Sequence, residues 1–202
     1  MENEYLKKVK LYYRDNVNYY HTIYHIESLF KKYKEFQKEF VDEFSLNEED
    51  ENILFYAIAY HDSFYIPGYK YNEEISAEIA RYDLKSIVNS HGLYKIMNAI
   101  KSTSLKFPLD LTTIKFEELI LHDLDWSRFL NYDEIIQDDE KVLNESIDIL
   151  KCDKNEIIKK QIDFYNKFRN KKIYYTKTFS IFNKIAKENM NKRYVELLDE
   201  YN

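Results

Sequence analysis

Five side chains that can bind a divalent metal ion occur in three short segments of the chain. His25 lies in YYHTIYHI, His61 and Asp62 are adjacent in AYHDSFY, and Asp123 and Asp125 lie in LHDLDW. A neutral imidazole and a carboxylate can bind the same divalent cation, and mixed nitrogen and oxygen ligands suit Mn, Fe, Co, Ni or Zn better than Ca. The sequence therefore predicts a site for a divalent metal ion.

Helical spacing predicts that the first two segments turn their ligands toward the protein interior. His25 continues an apolar stripe with Leu29 and Phe36, and His61 continues a stripe with Ile58. The carboxylate next to His61 would then lie at the inner edge of the core. An ionised carboxylate there is costly unless it is paired or bound to metal.

The third segment offers two carboxylates of which only one can face the ion. Asp123 and Asp125 are two residues apart, and this spacing separates two side chains by about 200° on an α-helix. Asp123 shares a stripe with Ile120 and Trp126, whereas Asp125 shares a face with Phe129. Periodicity favours Asp123, and both residues remain candidates.

Long helices are predicted to position these residues, because the chain has only two glycines and two prolines to interrupt them. We predict an all-α protein, a single compact bundle of about eight helices that forms one domain over residues 1–202. The predicted helices cover about residues 2–16, 21–42, 72–89, 93–102 and 178–200, and further helices are predicted to carry His61-Asp62 and LHDLDW and to follow Asn131 and Asp153.

Capping residues predict several of the helix starts. Ser45 with Glu48 has capping-box spacing, and Asn72 has two acidic residues after it, as an N-cap often does. Thr112 or Thr113 is predicted to begin the helix that carries LHDLDW. Two further helices are predicted to begin at Asn131 and Asp153, each followed by a glutamate three residues later.

Composition argues against several classes of protein. The net charge of −6 provides no overall basic field, so no stable binding to DNA or RNA is expected. The single cysteine, Cys152, cannot form an internal disulfide and is compatible with a reducing compartment. The sequence has neither an apolar run of the roughly 20 residues that span a bilayer nor a signal peptide. We expect a cytoplasmic protein without membrane association, and its oligomeric state stays open.

The order His, His-Asp, Asp is the signature of the HD superfamily of metal-dependent phosphohydrolases, which this sequence resembles. The segments YYHTIYHI, AYHDSFY, YNEEISAEIA, LHDLDWSRF, RNKKIYYTKTF and IAKENM occur in this order over most of the chain. Together they resemble the family described as predicted metal-dependent HD superfamily phosphohydrolases. The resemblance implies an all-helical HD fold, a bound divalent metal, and hydrolysis of a phosphate ester or anhydride. Comparison with the wider superfamily favours Asp125 as the third-segment ligand.

Two positions depart from the family pattern. Asn18 stands where the family has an arginine, which would remove a phosphate-binding cation unless Arg14 or Lys106 replaces it. The family also has a histidine three residues after a threonine in a later helix, but here Thr103 is followed by Lys106. The missing histidine argues for one metal ion rather than two.

Catalytic and substrate-binding roles are predicted around this metal. Glu73 is the candidate that orients or deprotonates the attacking water, and Asp62 is the candidate if Glu73 is only a first-turn acid that the helix dipole favours. His21 is predicted to contact phosphate or to act as a general acid. The other predicted substrate-binding residues are Asn72, Thr103 and Lys106.

Three functions remain open. The leading hypothesis is a phosphohydrolase for a small phosphorylated molecule, with a nucleotide as the preferred class. A phosphodiesterase for a cyclic or oligonucleotide signal in defence is the rival enzyme, although the acidic net charge disfavours a basic groove. A metal-stabilised module that binds a nucleotide without turnover is the non-enzymatic alternative, and Asn18 supports it.

Overall fold

The computed structural model describes residues 2–13, 17–104 and 112–201. These residues form ten α-helices and one 3-10 helix with no β-strand, which confirms the predicted all-α class. In chain order the elements are α1 Glu2–Val9, α2 Ile23–Phe44, α3 Glu48–Tyr60, α4 Asn72–Leu84, α5 Ser90–Ser102, α6 Phe116–Asp125, the 3-10 helix Trp126–Leu130, α7 Tyr132–Leu150, α8 Lys154–Phe168, α9 Lys177–Ser180 and α10 Asn183–Tyr201.

Helices α3 to α6 form the main packing unit, in which α5 packs against α3, α4 and α6, and α2 packs against α3 and α6. Fully buried aliphatic side chains, such as Leu54, Ile96 and Ile120, fill the space between these helices. A second unit places α8 against α7 and α10, with the 3-10 helix between α7 and α10. Aromatic rings dominate there, and Trp126 and Phe129 both contact Phe164.

Local capping residues set several boundaries as predicted and shift others. The side chains of Asn131 and Asp153 accept hydrogen bonds from backbone amides of the next turn, so both predicted N-caps are confirmed. The predicted capping box of Ser45 and Glu48 is wrong, because Asn47 and Asp50 form the box. Ser45 instead ends α2 in the left-handed conformation, with φ of 53°.

Three helix starts differ from the predicted ones. Helix α2 begins at Ile23 after Thr22, so His21 lies before the helix and not on its face. Tyr71 and not Asn72 is the N-cap of α4, and no side chain caps that helix. Helix α6 begins at Phe116, after Lys115. The predicted last helix is divided into α9 and α10.

None of the helices in the described ranges combines the length and the apolar composition needed to cross a lipid bilayer.

Candidate functional site

Two histidines and two aspartates come together where α2, α3 and α6 meet. His25 lies in the first turn of α2, His61 and Asp62 directly follow α3, and Asp125 is the last residue of α6. The Nε2 atom of His25 is 3.2 Å from Oδ1 of Asp125 and 3.8 Å from Oδ2 of Asp62. The Nε2 atom of His61 is 3.1 Å from Oδ2 of Asp62 and 3.7 Å from Oδ1 of Asp125. We call these four residues the HHDD cluster.

The imidazoles of the HHDD cluster present nitrogen atoms without hydrogen-bond partners. The Nε2 atoms of His25 and His61 are both buried, and neither has a partner in hydrogen-bond geometry despite the nearby carboxylates. The Nδ1 atom of His61 lies 3.0 Å from the carbonyl oxygen of Ile58. Donation to this carbonyl places a proton on Nδ1 and leaves Nε2 as the ring nitrogen that faces the cluster. A backbone acceptor commonly fixes the tautomer of a metal-binding histidine in this way.

Three residues of the HHDD cluster lie close enough together to hold one divalent ion. A metal about 2.0–2.2 Å from each nitrogen and oxygen ligand separates neighbouring ligand atoms by about 3.0–3.5 Å. Two of the four nitrogen–oxygen distances, 3.1 and 3.2 Å, lie in this range, and the other two are longer, at 3.7 and 3.8 Å. His25, His61 and Asp62 each offer a ligand atom within 4.8 Å of the others, and Asp125 adds a carboxylate beside both imidazoles. A cation could interact with these buried nitrogen and oxygen atoms.

Electrostatic coupling inside the HHDD cluster favours ionised carboxylates. Burial alone would raise the pKa of Asp125, but interaction with His25 and His61 lowers it well below its ordinary value. Burial likewise opposes ionisation of Asp62, and the pKa falls because of His61. Burial alone would lower the pKa of His61, but the two carboxylates raise it well above its ordinary value. The site is therefore electrostatically prepared for a positive charge between its carboxylates.

The structure places Asp125, not Asp123, beside His25 and His61, and this placement favours Asp125 as the third-segment ligand over the Asp123 that the apolar stripe favoured. The carboxylate of Asp123 is fully buried on another side of α6. It accepts hydrogen bonds from the backbone amides of Tyr175 and Thr176 and from the Thr176 hydroxyl, at 2.7–3.1 Å. Asp123 therefore stabilises the segment before α9 through these hydrogen bonds, and its carboxylate does not face the HHDD cluster.

A cavity of about 490 Å³ opens from the carboxylates of the HHDD cluster. Asp62 and Asp125 line it together with His21, Glu73 and Thr103. Residues of α7 and α8, both polar and apolar, also line it. Pockets of about 300–1,000 Å³ are typical for small-molecule ligands. The two carboxylates of the cluster therefore line a space large enough for an organic molecule.

His21 faces this cavity because a buried glutamate on α7 holds it. The Oε1 atom of Glu145 lies 2.5 Å from Nδ1 of His21, and Oε2 accepts the backbone amides of Tyr19, Tyr20 and His21 at 3.0–3.1 Å. The His21 ring stacks on Tyr65. Burial alone would raise the pKa of Glu145, but its bond to His21 lowers it. Because Nδ1 donates to Glu145, the Nε2 atom of His21 is the one available to a ligand.

Glu145 is a residue that sequence reasoning missed. It stands 124 residues after His21 in the chain. A glutamate within the helical sequence VLNESIDIL reads as a solvated residue, although its exposed fraction in the fold is 0%.

The other predicted site residues contribute unequally. Asn72 is buried, and its amide accepts from the Ile66 backbone amide and donates to the Ile66 carbonyl, so it braces the loop before α4. The Thr103 hydroxyl donates to the Ile100 carbonyl at the end of α5. Glu73 is half-buried on the cavity wall. Lys106, like Arg14, lies outside the described residues.

A cation that the sequence did not indicate lines the same cavity. Arg128, one turn after Asp125, donates to Asp139 at 3.2 Å, and its Cζ atom lies 5.7 Å from the centre of the Tyr20 ring. The Tyr20 ring in turn lies 4.8 Å from the His25 ring. Asn18, at the position of the family arginine, instead donates its amide to the His21 carbonyl. Arg128 is thus a positively charged side chain that lines the cavity close to the HHDD cluster.

Comparison with family models, with curated proteins and with solved structures finds no match for the chain. The resemblance to HD phosphohydrolases therefore rests on the motifs themselves, and the placement of those motifs in the fold is the basis for a functional proposal.

Proposed function

We propose that this protein is a metal-dependent phosphohydrolase that acts on a small phosphorylated molecule, with a nucleotide as the preferred class. The observation that carries the proposal is the HHDD cluster, in which two buried imidazole nitrogens without hydrogen-bond partners lie beside two carboxylates that line a cavity. His25, His61, Asp62 and Asp125 would hold one Mn, Fe, Co, Ni or Zn ion. Such an ion lowers the pKa of a bound water and polarises the phosphoryl group.

Glu73 is the proposed base for the attacking water. It lies in the first turn of α4 and lines the cavity that contains Asp62 and Asp125. As the water oxygen bonds to phosphorus, Glu73 would take a water proton, and the bond from phosphorus to the leaving oxygen would break. Asp62 also lines the cavity and is the second candidate for orienting this water.

His21 and Arg128 are the proposed groups for the phosphate and its leaving oxygen. Glu145 fixes the His21 ring, so that Nε2 contacts a phosphate oxygen or, when the ring is protonated on both nitrogens, gives its proton to the leaving oxygen. Arg128 would supply the positive charge that the substitution at Asn18 removes. Its remaining N–H groups suit phosphate oxygens, because a guanidinium offers five donors.

A screen of phosphorylated compounds, with and without each candidate metal, tests the proposal. We expect release of inorganic phosphate from at least one nucleotide or sugar phosphate, dependent on metal and lost in His61→Ala. Hydrolysis of cyclic or oligonucleotide diesters instead would favour the phosphodiesterase. Metal binding with nucleotide binding but no turnover would favour the sensor, for which the loss of the family arginine at Asn18 is the supporting observation.

A further inference from the structure

We propose that a surface formed by α8, α10 and the segment between α8 and α9 binds nucleic acid through its phosphate backbone, without sequence preference. The proposal does not depend on the HHDD cluster or on the proposed hydrolysis. The surface consists of exposed or partly exposed cations, and we call it the basic surface: Lys167, Arg169, Lys171, Lys172, Lys184 and Lys187.

Positive charge is concentrated in the part of the chain that carries the basic surface. Residues 157–187 contain nine basic side chains and one acidic side chain, Asp163, which is a net charge of +8. The whole chain has a net charge of −6, so all other residues together carry −14. The overall value, on which the expectation of no nucleic-acid binding rests, therefore averages over two parts of opposite charge. Such an asymmetry indicates interaction with nucleic acid or with an anionic membrane.

The protein itself neutralises little of this charge. Among the described residues, Lys184 is the only member of the basic surface within 4.0 Å of a carboxylate oxygen, and its partner is the exposed Glu188. Arg169 instead donates to the amide oxygen of Asn191 at 2.7 Å, and its Cζ atom lies 4.2 Å from the centre of the Tyr194 ring. A side-chain amide and an aromatic ring orient this guanidinium without cancelling its charge.

Contacts between α8 and α10 bring the basic surface together. The Nζ atoms of Lys167 and Lys171 lie 4.8 and 5.4 Å from the centre of the same ring, that of Phe168. The asparagine that accepts from Arg169 donates its own amide to the backbone carbonyl of Lys187 at 2.8 Å, one turn earlier on α10. The end of α8 and the first half of α10 therefore carry their cations side by side.

The side chains between the cations favour phosphate over lipid as the partner. In residues 166–172 the exposed side chains are asparagines and lysines, and the one apolar residue, Phe168, is buried. Surface helices that bind membranes also present apolar side chains that enter the headgroup region. Lysine, arginine and asparagine are among the side chains that bind phosphate oxygens of nucleic acids. The exposed Ile181 and Ile185 lie closer to α9, so an anionic membrane is the competing partner.

Neutralisation of phosphates by the basic surface predicts a measurable salt dependence. With about four to six phosphate contacts, the logarithm of the association constant should fall against the logarithm of salt concentration with a slope of about −3 to −5. Contacts to the phosphate backbone carry no sequence information. Unrelated sequences should therefore bind alike, with Kd of about 1–100 μM near physiological salt.

Fluorescence anisotropy of labelled nucleic acid tests the proposal. An RNA strand of about 20 nucleotides and a DNA duplex of about 20 base pairs, each in two unrelated sequences, are titrated with the protein. Chelator is present throughout, so that metal-dependent hydrolysis does not interfere. We expect the RNA or the duplex to bind with the Kd and the salt slope given above, and its two sequences to bind alike.

The double variant Lys171→Gln with Lys172→Gln removes two exposed cations of the basic surface. At about 0.1 M salt it should bind at least about 25-fold more weakly, because each lost phosphate contact costs a factor of about five to eight. The control Lys70→Gln with Lys85→Gln makes the same change in charge at two exposed lysines beside α4 and should keep its affinity within about threefold. If the first variant fails to fold, Lys167→Gln with Lys187→Gln makes the same test.

Absence of binding to both nucleic acids, or equal weakening by the two double variants, would overturn the assignment of the basic surface. Binding to vesicles that contain phosphatidylserine, without binding to either nucleic acid, would overturn it in favour of a membrane partner. The phosphate screen measures a different site, so failure of one experiment leaves the other proposal standing.

Discussion

The two aspartates of LHDLDW should respond oppositely to the same conservative change. Asp125→Asn alters a carboxylate 3.2 Å from Nε2 of His25 and should remove metal from the protein. Asp123→Asn alters a carboxylate that is bonded to Tyr175 and Thr176 and should lower stability with little effect on metal content. The spacing that prevents both side chains from facing one ion is the reason for the difference.

The stability loss in Asp123→Asn follows from its donors. Oδ2 accepts from the Thr176 amide at 2.8 Å, the Thr176 hydroxyl at 2.7 Å and the Tyr175 amide at 3.1 Å, whereas Oδ1 accepts from the Tyr175 amide at 3.0 Å. An asparagine oxygen in the Oδ2 position keeps these donors, but its NH2 group then faces the Tyr175 amide and is itself a buried donor without a partner. One buried donor without a partner costs about 1–3 kcal/mol. For a chain of this length that lowers Tm by about 2–12 °C.

Elemental analysis of purified protein and thermal unfolding by circular dichroism measure the two effects. Asp125→Asn should keep less than about a tenth of the wild-type metal, because even outer-shell changes cost 10–100-fold in metal affinity. Asp123→Asn should keep most of its metal and unfold at a lower temperature, in chelator as well as in metal. Equal metal loss from both variants, or metal loss confined to Asp123→Asn, would refute the assignment of the ligand.

Three further predictions concern residues around the cavity. Glu73→Gln should lower kcat by about 10²–10⁴-fold with metal content unchanged, whereas the control Glu74→Gln in the same turn should leave both kcat and metal content unchanged. If Glu73→Gln loses only about 0.3–1 kcal/mol of stability and keeps a normal kcat, Glu73 is only an acid that the helix dipole favours. Glu145→Gln should lower the free energy of unfolding at pH 7 by about 2–3 kcal/mol, because it removes charge-assisted hydrogen bonds. The pKa of Glu145 is lowered in the fold from its ordinary 4.5. Its contribution to stability is therefore complete above pH 4.5 and should vanish as the pH falls through the lower, folded-state pKa. Denaturant titrations at several pH values measure this dependence, and the exposed control Glu140→Gln should not change it. Asn72→Ala should leave the Ile66 amide and carbonyl without partners and lower stability by about 1–3 kcal/mol in the same assay, and an unchanged midpoint would mean that the loop before α4 holds without it.

Features that depend on neighbours in the chain were predictable. The caps at Asn131 and Asp153 work through backbone amides only two residues away, so the sequence around them is sufficient. The predicted loop between α3 and α4 is confirmed, because Pro67 and Gly68 interrupt a helix and Gly68 adopts a positive φ of 74°. Helical spacing likewise predicts that His25, His61 and Asp62 continue apolar stripes toward the core, because it too depends only on neighbours in the chain.

The choice between Asp123 and Asp125 needed the tertiary structure. The stripe argument assumes that a helix has a core face and a solvent face, but α6 is covered on several sides by α2, α3 and α5. The five consecutive residues from Ile120 to Leu124 are all buried. Periodicity cannot rank side chains on a helix that is buried all round. The neighbours on each side decided that Asp123 meets backbone donors and Asp125 meets imidazoles.

By itself, then, the sequence determined the all-α class, the helix starts at Asn131 and Asp153, and the identity of three of the four residues in the HHDD cluster, because helical periodicity and caps act within a few residues. Only the tertiary structure decided which aspartate completes that cluster, that Glu145 holds His21, and that Arg128 lies beside the cavity. These pairings join residues from separate helices, and His21 and Glu145 are 124 positions apart. Their contact depends on how α7 packs beside the segment before α2, and no local pattern encodes that packing.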